Sequence, residues 1–180
     1  MATAPEHSEG IDPERALKYA IQRIRGDRAE IIDSVTPTWD HENATEEIRD
    51  QIKPRAKEPG YVTGSGNLDL PSSPNWYVPD IAVVPKQIAK GGHALQPAET
   101  ILIVEVSSES DAETDRVIKR KRYAEYGAPL YLLVDRVEQS ITLFAEPSRL
   151  GYTHVDGPHP FGTSLHLPAP FDLDLDTSGL

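Results

Sequence analysis

The stretch ILIVEVSS, residues 101–108, has the composition of a strand buried on both faces of a sheet. Four apolar residues precede Glu105, and Val106 follows it. Burying an unpaired charge costs on the order of several kcal/mol, so Glu105 must be paired with a cation, protonated or bound to a metal. Each of these three solutions implies a different protein.

Composition narrows the class of protein. The 180 residues suffice for one domain with a sizeable core, and we expect residues 1–180 to form a single domain with a flexible N-terminus over residues 1–10. The absence of cysteine excludes disulfides, zinc–thiolate sites and thiol nucleophiles. No signal-peptide pattern or membrane-length apolar run occurs, so we expect a cytoplasmic protein without a membrane partner. The formal net charge of -11 argues against strong non-specific binding to nucleic acid.

The order of the predicted elements is typical of a mixed α/β sheet flanked by helices. One helix places Ala44, Ile48 and Ile52 along one face, and a turn-rich break is expected at residues 53–60. The strongest helix pattern follows the opening stretch, and Gly127 can end it. Helical patterns cover residues 11–26, 40–52 and 110–127, and strand patterns cover residues 28–35, 80–85, 101–106, 151–157 and 171–176, with two further strands and a tight turn within 130–147.

Two acidic residues stand at strand positions in the middle of the chain. Asp80 opens the strand DIAVVP, and Glu105 shares a strand face with Ile101 and Ile103. If the two strands are neighbours, the carboxylates converge at one edge of the core and repel each other. A divalent cation would relieve that repulsion, and Mg²⁺ is typically held by one or two carboxylates together with water and substrate phosphate.

A local basic cluster follows in an otherwise acidic protein. It consists of Arg116, Lys119, Arg120, Lys121 and Arg122. At helical spacing Lys119 shares a face with Arg116, and a lysine beside a metal-bound phosphate could stabilise the charge that develops when water attacks. The cluster could also bind the backbone of a nucleic acid despite the global charge.

Each of these features also has an ordinary structural interpretation. Asp80 could be a turn or strand-start residue, and Glu105 could pair with a structural arginine. The basic run could be a solvated helix face, as most charge runs are. His41, near a helix start, is interpreted as a capping or packing residue rather than as a catalyst.

Three segments together resemble one known family. VPDIAVVP at 78–85, ILIVEVSSES at 101–110 and TDRVIKRKRYAEYGAPLYLLVD at 114–135 look like the core of the Uma-two family of restriction endonuclease-like proteins, within the PD-(D/E)XK nuclease superfamily. The resemblance covers roughly residues 26–175. It implies a mixed central sheet flanked by helices, with an active site built on two strands.

The resemblance also implies residue roles. Asp80 and Glu105 match the family's metal-binding acids, and Val106 would offer its backbone carbonyl to the metal. Glu30 could match the auxiliary upstream acid that some nucleases of this superfamily add.

The sequence departs from the standard superfamily motif at one position. The motif places a lysine two residues after the glutamate, where this chain has Ser107. The family supplies the lysine from the following helix, and Lys119 matches that position. DNA contacts would come from the remaining basic residues of the cluster, which are Arg116, Arg120, Lys121 and Arg122.

The leading hypothesis is therefore an endonuclease that uses Mg²⁺ or Mn²⁺ to hydrolyse DNA phosphodiester bonds, and a homodimer is compatible with it. The alternative is a catalytically inactive nuclease fold that binds nucleic acid or protein, which the acidic net charge and Ser107 favour. Glycoside hydrolysis by two carboxylates ranks below both, since Trp39 and Trp76 are the only tryptophans available for a sugar site.

Overall fold

The computed structural model of the chain describes residues 37–73, 75–90, 94–108 and 112–180. The predicted helix at 11–26, the predicted strand at 28–35 and Glu30 lie outside these residues. The helices are α1 (Trp39–Lys57), α2 (Lys86–Ala89) and α3 (Arg120–Glu125), with a 3-10 turn at Pro97–Glu99 and a π-helical turn at Thr114–Lys119. The strands are β1 (Tyr61–Gly64), β2 (Leu68–Asp69), β3 (Trp76–Tyr77), β4 (Ile81–Pro85), β5 (Leu102–Val106), β6 (Leu130–Asp135), β7 (Ser140–Ser148), β8 (Gly151–Pro160), β9 (Ser164–Leu167) and β10 (Leu173–Asp176).

A six-stranded sheet in the order β1-β4-β5-β6-β7-β8 forms the centre of the molecule. Among the described strands of this sheet, only β5 and β6 pair in parallel, because the connection between them crosses one face of the sheet through the π-helical turn and α3. The other neighbours pair antiparallel, so the sheet is mixed, as the sequence predicts. Two small two-stranded sheets, β2–β3 and β9–β10, accompany it.

Helix α1 covers one face of the central sheet. Thr38 caps its start, where the hydroxyl accepts a hydrogen bond from the His41 backbone N–H at 3.3 Å. Ala44, Ile48 and Ile52 are all buried, which confirms the predicted apolar face. The predicted break after residue 52 is wrong, because α1 continues through Pro54 to Lys57, and burial of Ala56 holds its last turn against the core.

The two faces of β5 belong to different halves of the core. Leu102, Val104 and Val106 pack in the cluster that includes the apolar face of α1. Ile103 packs on the other face, in a second cluster that includes Tyr123 of α3, Tyr131 and Leu133. Since strand side chains alternate, Glu105 points to the same side as Ile103, toward the helix that follows β5.

That helix ends where the sequence predicts. Gly127 adopts a φ of +80°, in the left-handed region that favours glycine, and the chain then enters β6. The β6–β7 hairpin confirms the predicted pair of strands within 130–147. None of the helices among the described residues is long and apolar enough to span a membrane.

The burial of α1 predicts a specific stability loss. Ile48 is completely buried, so Ile48→Ala should lower the free energy of unfolding by about 2–5 kcal/mol through lost transfer energy and a cavity. Ile118 is 42% exposed, so the same truncation there should change stability by only about 0.5 kcal/mol or less. Urea unfolding followed by circular dichroism measures both, and equal losses would contradict the assigned core.

Candidate active site

Asp80 and Glu105 lie at the same end of the central sheet. Ile81 of β4 pairs with Val104 of β5, so Asp80 and Glu105 occupy the next position along the same antiparallel ladder. The Val106 backbone N–H donates a hydrogen bond to Asp80 Oδ2 at 2.7 Å, which ties the Asp80 carboxylate to the end of β5. The structure therefore brings together the two acids that the sequence predicts to converge.

Glu105 is buried, with 1% of its surface exposed, and both carboxylate oxygens have partners. The Tyr123 hydroxyl donates to Oε1 at 2.5 Å, and Lys119 Nζ lies 3.1 Å from Oε2. Burial raises the pKa of Glu105 above its ordinary value, while the Lys119 ammonium acts in the opposite direction and favours the ionised carboxylate. The carboxylate in the core strand is thus paired with a cation, and that cation is a lysine rather than a structural arginine.

Lys119 lies between two acidic side chains. Its Nζ is 2.8 Å from Asp115 Oδ1, one helical turn earlier, in addition to its contact with Glu105. Burial alone would lower the pKa of Lys119, but the two carboxylates raise it well above its ordinary value. Lys119 is therefore an ammonium at neutral pH, which can stabilise negative charge but cannot act as a general base.

Asp80 contacts helix α1 as well as β5. His41 Nε2 lies 3.4 Å from Asp80 Oδ1, and the hydrogen bond to Asp80 raises the pKa of His41 despite its burial. The Arg49 guanidinium donates to the Asp80 backbone carbonyl at 3.2 Å. Helix α1 thus holds Asp80 in place just before β4. His41 is a packing residue, as expected, and it packs against the Asp80 carboxylate.

The site carries an excess of negative charge. Asp80, Glu105 and Asp115 are close enough that the first and last both raise the pKa of Glu105. Lys119 supplies one full positive charge, and His41 adds a positive charge only when it is protonated. A further cation would lower the electrostatic energy of this group of carboxylates.

The π-helical turn sets the position of Lys119. The helix is π-helical at Thr114–Lys119, and π turns are frequent at functional sites. The Tyr131 hydroxyl donates to the Asp115 backbone carbonyl at 3.0 Å, so a core tyrosine of β6 supports the turn. Lys119 therefore lies near the end of β5, as required if the helix after β5 supplies the lysine of the motif.

A second buried network holds the start of this helix. Arg116 donates to Asp135 Oδ2 at 2.5 Å through Nε and to Oδ1 at 2.9 Å through a terminal nitrogen. Ser107, at the standard lysine position of the motif, donates to Asp135 Oδ1 at 3.2 Å and is completely buried. Ser107 thus joins the ends of β5 and β6 to the helix and does not reach toward the carboxylate pair.

The predicted DNA-contacting residues fall into different environments. Arg116 is engaged with Asp135, and Arg122 pairs with Glu125 at 2.9 Å. The Arg120 guanidinium lies over the Phe144 ring, 5.3 Å from its centroid, and Lys121 is exposed on α3. Their role in DNA binding stays a prediction.

Sequence reasoning did not assign a site role to three residues that the structure places here. They are His41, Asp115 and Tyr123. Asp115 and Tyr123 lie within the segment that carries the family resemblance, and helical spacing is a further signal, because Asp115, Lys119 and Tyr123 recur every four residues and so share one face. The pairing of His41 with Asp80 joins distant segments and leaves no local pattern.

The donor set fits a hard divalent cation. Among the described residues, no three His, Cys, Asp or Glu side chains form a ready-made metal cage. Two carboxylates at a strand end, supplemented by a backbone carbonyl and water, nevertheless match the oxygen ligands that Mg²⁺ prefers. The surplus of carboxylates over cations favours such an ion.

Comparison with known proteins agrees with this geometry. A family model described as "Uma2: Putative restriction endonuclease" matches residues 14–178. No curated protein matches the chain significantly. The crystal structure of a "putative nuclease belonging to DUF820" from Anabaena variabilis has a TM-score of 0.66 at 16% identity, and the alignment covers 84% of this chain and 86% of that chain. The resemblance and the restriction-endonuclease-like fold are thereby confirmed.

The Arg116–Asp135 pair predicts how stability changes with pH. Burial alone would raise the pKa of Asp135, but hydrogen bonds from Arg116 and from the Glu138 backbone N–H lower it below the ordinary 3.8. Asp135→Asn should therefore cost about 1.5–3 kcal/mol of unfolding free energy at pH 7. The difference from the parent should persist above pH 3.8 and shrink as the pH falls toward the lowered folded pKa, because the folded state binds this proton less tightly than the unfolded chain.

Urea titrations at several pH values measure this difference. Asp50→Asn on the exposed face of α1 is the matched control, and it should change stability little at any pH. A loss for Asp135→Asn that grows as the pH falls would contradict the assignment.

Proposed function

The chain belongs to the Uma2 family, and we propose that it is a metal-dependent endonuclease that hydrolyses phosphodiester bonds in DNA. The observation that carries this proposal is the meeting of Asp80, Glu105 and Lys119 at one sheet end. Two carboxylates that can hold a divalent cation and a buried ammonium beside them can stabilise the charge that develops during phosphodiester hydrolysis.

Asp80 and Glu105 would hold the divalent cation, Mg²⁺ or Mn²⁺, together with the backbone carbonyl of Val106. A cation bound there would neutralise charge on the scissile phosphate and lower the pKa of a water molecule beside it. Glu30 stays the proposed auxiliary acid.

The surrounding residues orient these ligands. Tyr123 keeps its proton, because burial raises its pKa well above the ordinary value, and so donates to one Glu105 oxygen. The Val106 backbone N–H and His41 do the same for the two oxygens of Asp80. Such partners fix the direction of the lone pairs that face a metal.

Lys119 would act on the phosphate as a fixed positive charge. Its raised pKa keeps it protonated, so it can stabilise the negative charge that develops on the phosphate oxygens during attack by water. Because 15% of its side chain is exposed, Lys119 is partly accessible to solvent while its carboxylates hold the ammonium. Arg120 and Lys121 on the outer face of α3 would contact the DNA backbone, and Arg122 and Arg116 could extend that surface.

Metal-dependent cleavage is the first expected outcome. Purified protein should nick supercoiled plasmid in Mg²⁺ or Mn²⁺ and lose that activity in chelator. Asp80→Ala and Glu105→Gln should reduce cleavage to background, because each removes a metal ligand. Gel analysis of plasmid and single-stranded DNA measures this. DNA binding that survives chelation, with no cleavage by the parent, would favour the inactive binding module instead.

A matched pair of lysine substitutions separates chemistry from binding. Lys119→Ala should lower kcat by about 10²–10³, the usual cost of removing one group that stabilises transition-state charge. Lys121→Ala lies two residues away on the exposed face, so it should reduce only the salt-sensitive affinity for DNA, with the salt slope smaller by about 1.

Single-turnover cleavage and binding at several salt concentrations measure the two effects. Circular dichroism confirms that each variant folds. Parent-like cleavage by Lys119→Ala would show that the lysine assignment is wrong.

A further inference from the structure

Asp115 is a buried carboxylate that the reaction proposed above does not use. Only 2% of its surface is exposed, and its Oδ1 lies 2.8 Å from Lys119 Nζ. Its backbone carbonyl is held by the Tyr131 hydroxyl, and the next residue, Arg116, is tied to Asp135. The backbone at Asp115 is therefore held by contacts that do not involve Glu105.

Glu105 faces two competing cations at the proposed site. Lys119 Nζ lies 3.1 Å from its Oε2, and the same carboxylate is a proposed ligand of the divalent ion. Like charges around a buried carboxylate repel strongly, because the low-dielectric surroundings screen them little. A divalent cation on Glu105 would push the ammonium away unless a second acid retains it.

We propose that Asp115 is a positioning residue that retains the Lys119 ammonium beside the reaction centre when a divalent cation occupies Glu105. This inference rests on the proposed metal site. In this arrangement Glu105 binds the metal, and Asp115 binds the Lys119 ammonium. Without Asp115, the lysine would have only Glu105 as its partner and would compete with the metal for it.

The π-helical turn makes this arrangement possible. Asp115 and Lys119 stand four residues apart on one side of the turn, and Lys119 reaches both acids from a single position. The ammonium can therefore keep its contact with Asp115 when a divalent cation occupies Glu105.

The test is a cycle of four proteins titrated with Mn²⁺: the parent, Asp115→Asn, Lys119→Gln and the double variant. The electron paramagnetic resonance signal of free Mn²⁺ gives each apparent affinity without any need for cleavage. Asp115→Asn should weaken Mn²⁺ binding by about 10–100-fold when Lys119 is present, the usual range for a residue that supports a metal ligand. In the Lys119→Gln background the same substitution should have a much smaller effect, because no competing ammonium remains.

A simple loss of negative charge gives a different result. If Asp115 only adds to the field at the metal, Asp115→Asn weakens Mn²⁺ binding by the same factor in both backgrounds, and the inference is wrong. It is equally wrong if Asp115→Asn binds Mn²⁺ like the parent. Single-turnover cleavage adds a second readout, in which Asp115→Asn at saturating Mn²⁺ should lower kcat and leave KM for DNA unchanged.

Controls separate this inference from the proposed function and from misfolding. If the effect of Asp115→Asn on Mn²⁺ affinity depends on Lys119 but the parent cleaves no DNA, the role of Asp115 is upheld and the endonuclease proposal is overturned. A parent that binds no Mn²⁺ overturns the metal site and this inference together. Asp115→Ser provides a second substitution, and if both variants fail to fold in chelator, Asp115 is a structural ion-pair residue and the inference is overturned.

Discussion

The contact between Lys119 and Glu105 constrains how the helix after β5 packs against the sheet. Strand β5 packs apolar side chains on both faces, and a charged carboxylate in that position is tolerated only with a close partner. Removing one member of such a buried pair typically costs about 3–5 kcal/mol, so the helix that carries the lysine must pack back over the strand. The connection from β5 to the parallel strand β6 runs through this helix and places it there.

Two further contacts determine how the helix lies. Arg116 donates hydrogen bonds to Asp135 at the end of β6, and the Tyr131 hydroxyl donates one to the backbone of the π-helical turn. Ser107 joins the same network from the end of β5. Because the lysine stands on the helix, position 107 can hold a residue that connects the ends of the two strands to the helix.

The sequence predicted the parts of this arrangement that depend on local patterns. The buried strand, the apolar face of α1 and the helix ended by Gly127 follow from periodicity and punctuation. The meeting of Asp80 with Glu105 followed from the assumption that their strands are neighbours, which the register confirms. The resemblance supplied Lys119, which spacing alone left among five basic residues.

The remaining contacts could not be predicted, because they join distant segments. Whether a tyrosine hydroxyl reaches a carboxylate, as Tyr123 reaches Glu105, depends on the angle at which α3 crosses the sheet. The sequence analysis predicted the end of α1 too early for a related reason. Pro54 marks a local break, but tertiary burial of Ala56 outweighs that local preference.

The acidic charge of the chain is compatible with a DNA substrate once distance is considered. At physiological ionic strength the Debye length is about 8 Å, so charges on the far side of the domain contribute little to the potential at the site. The exposed acids of β10 are of this kind, because β9 and β10 pack with α1 on the face of the sheet opposite Glu105. On the near face, exposed Arg120 and Lys121 follow the turn that carries Lys119. The local arrangement rather than the net charge of -11 therefore decides whether a polyanion can approach.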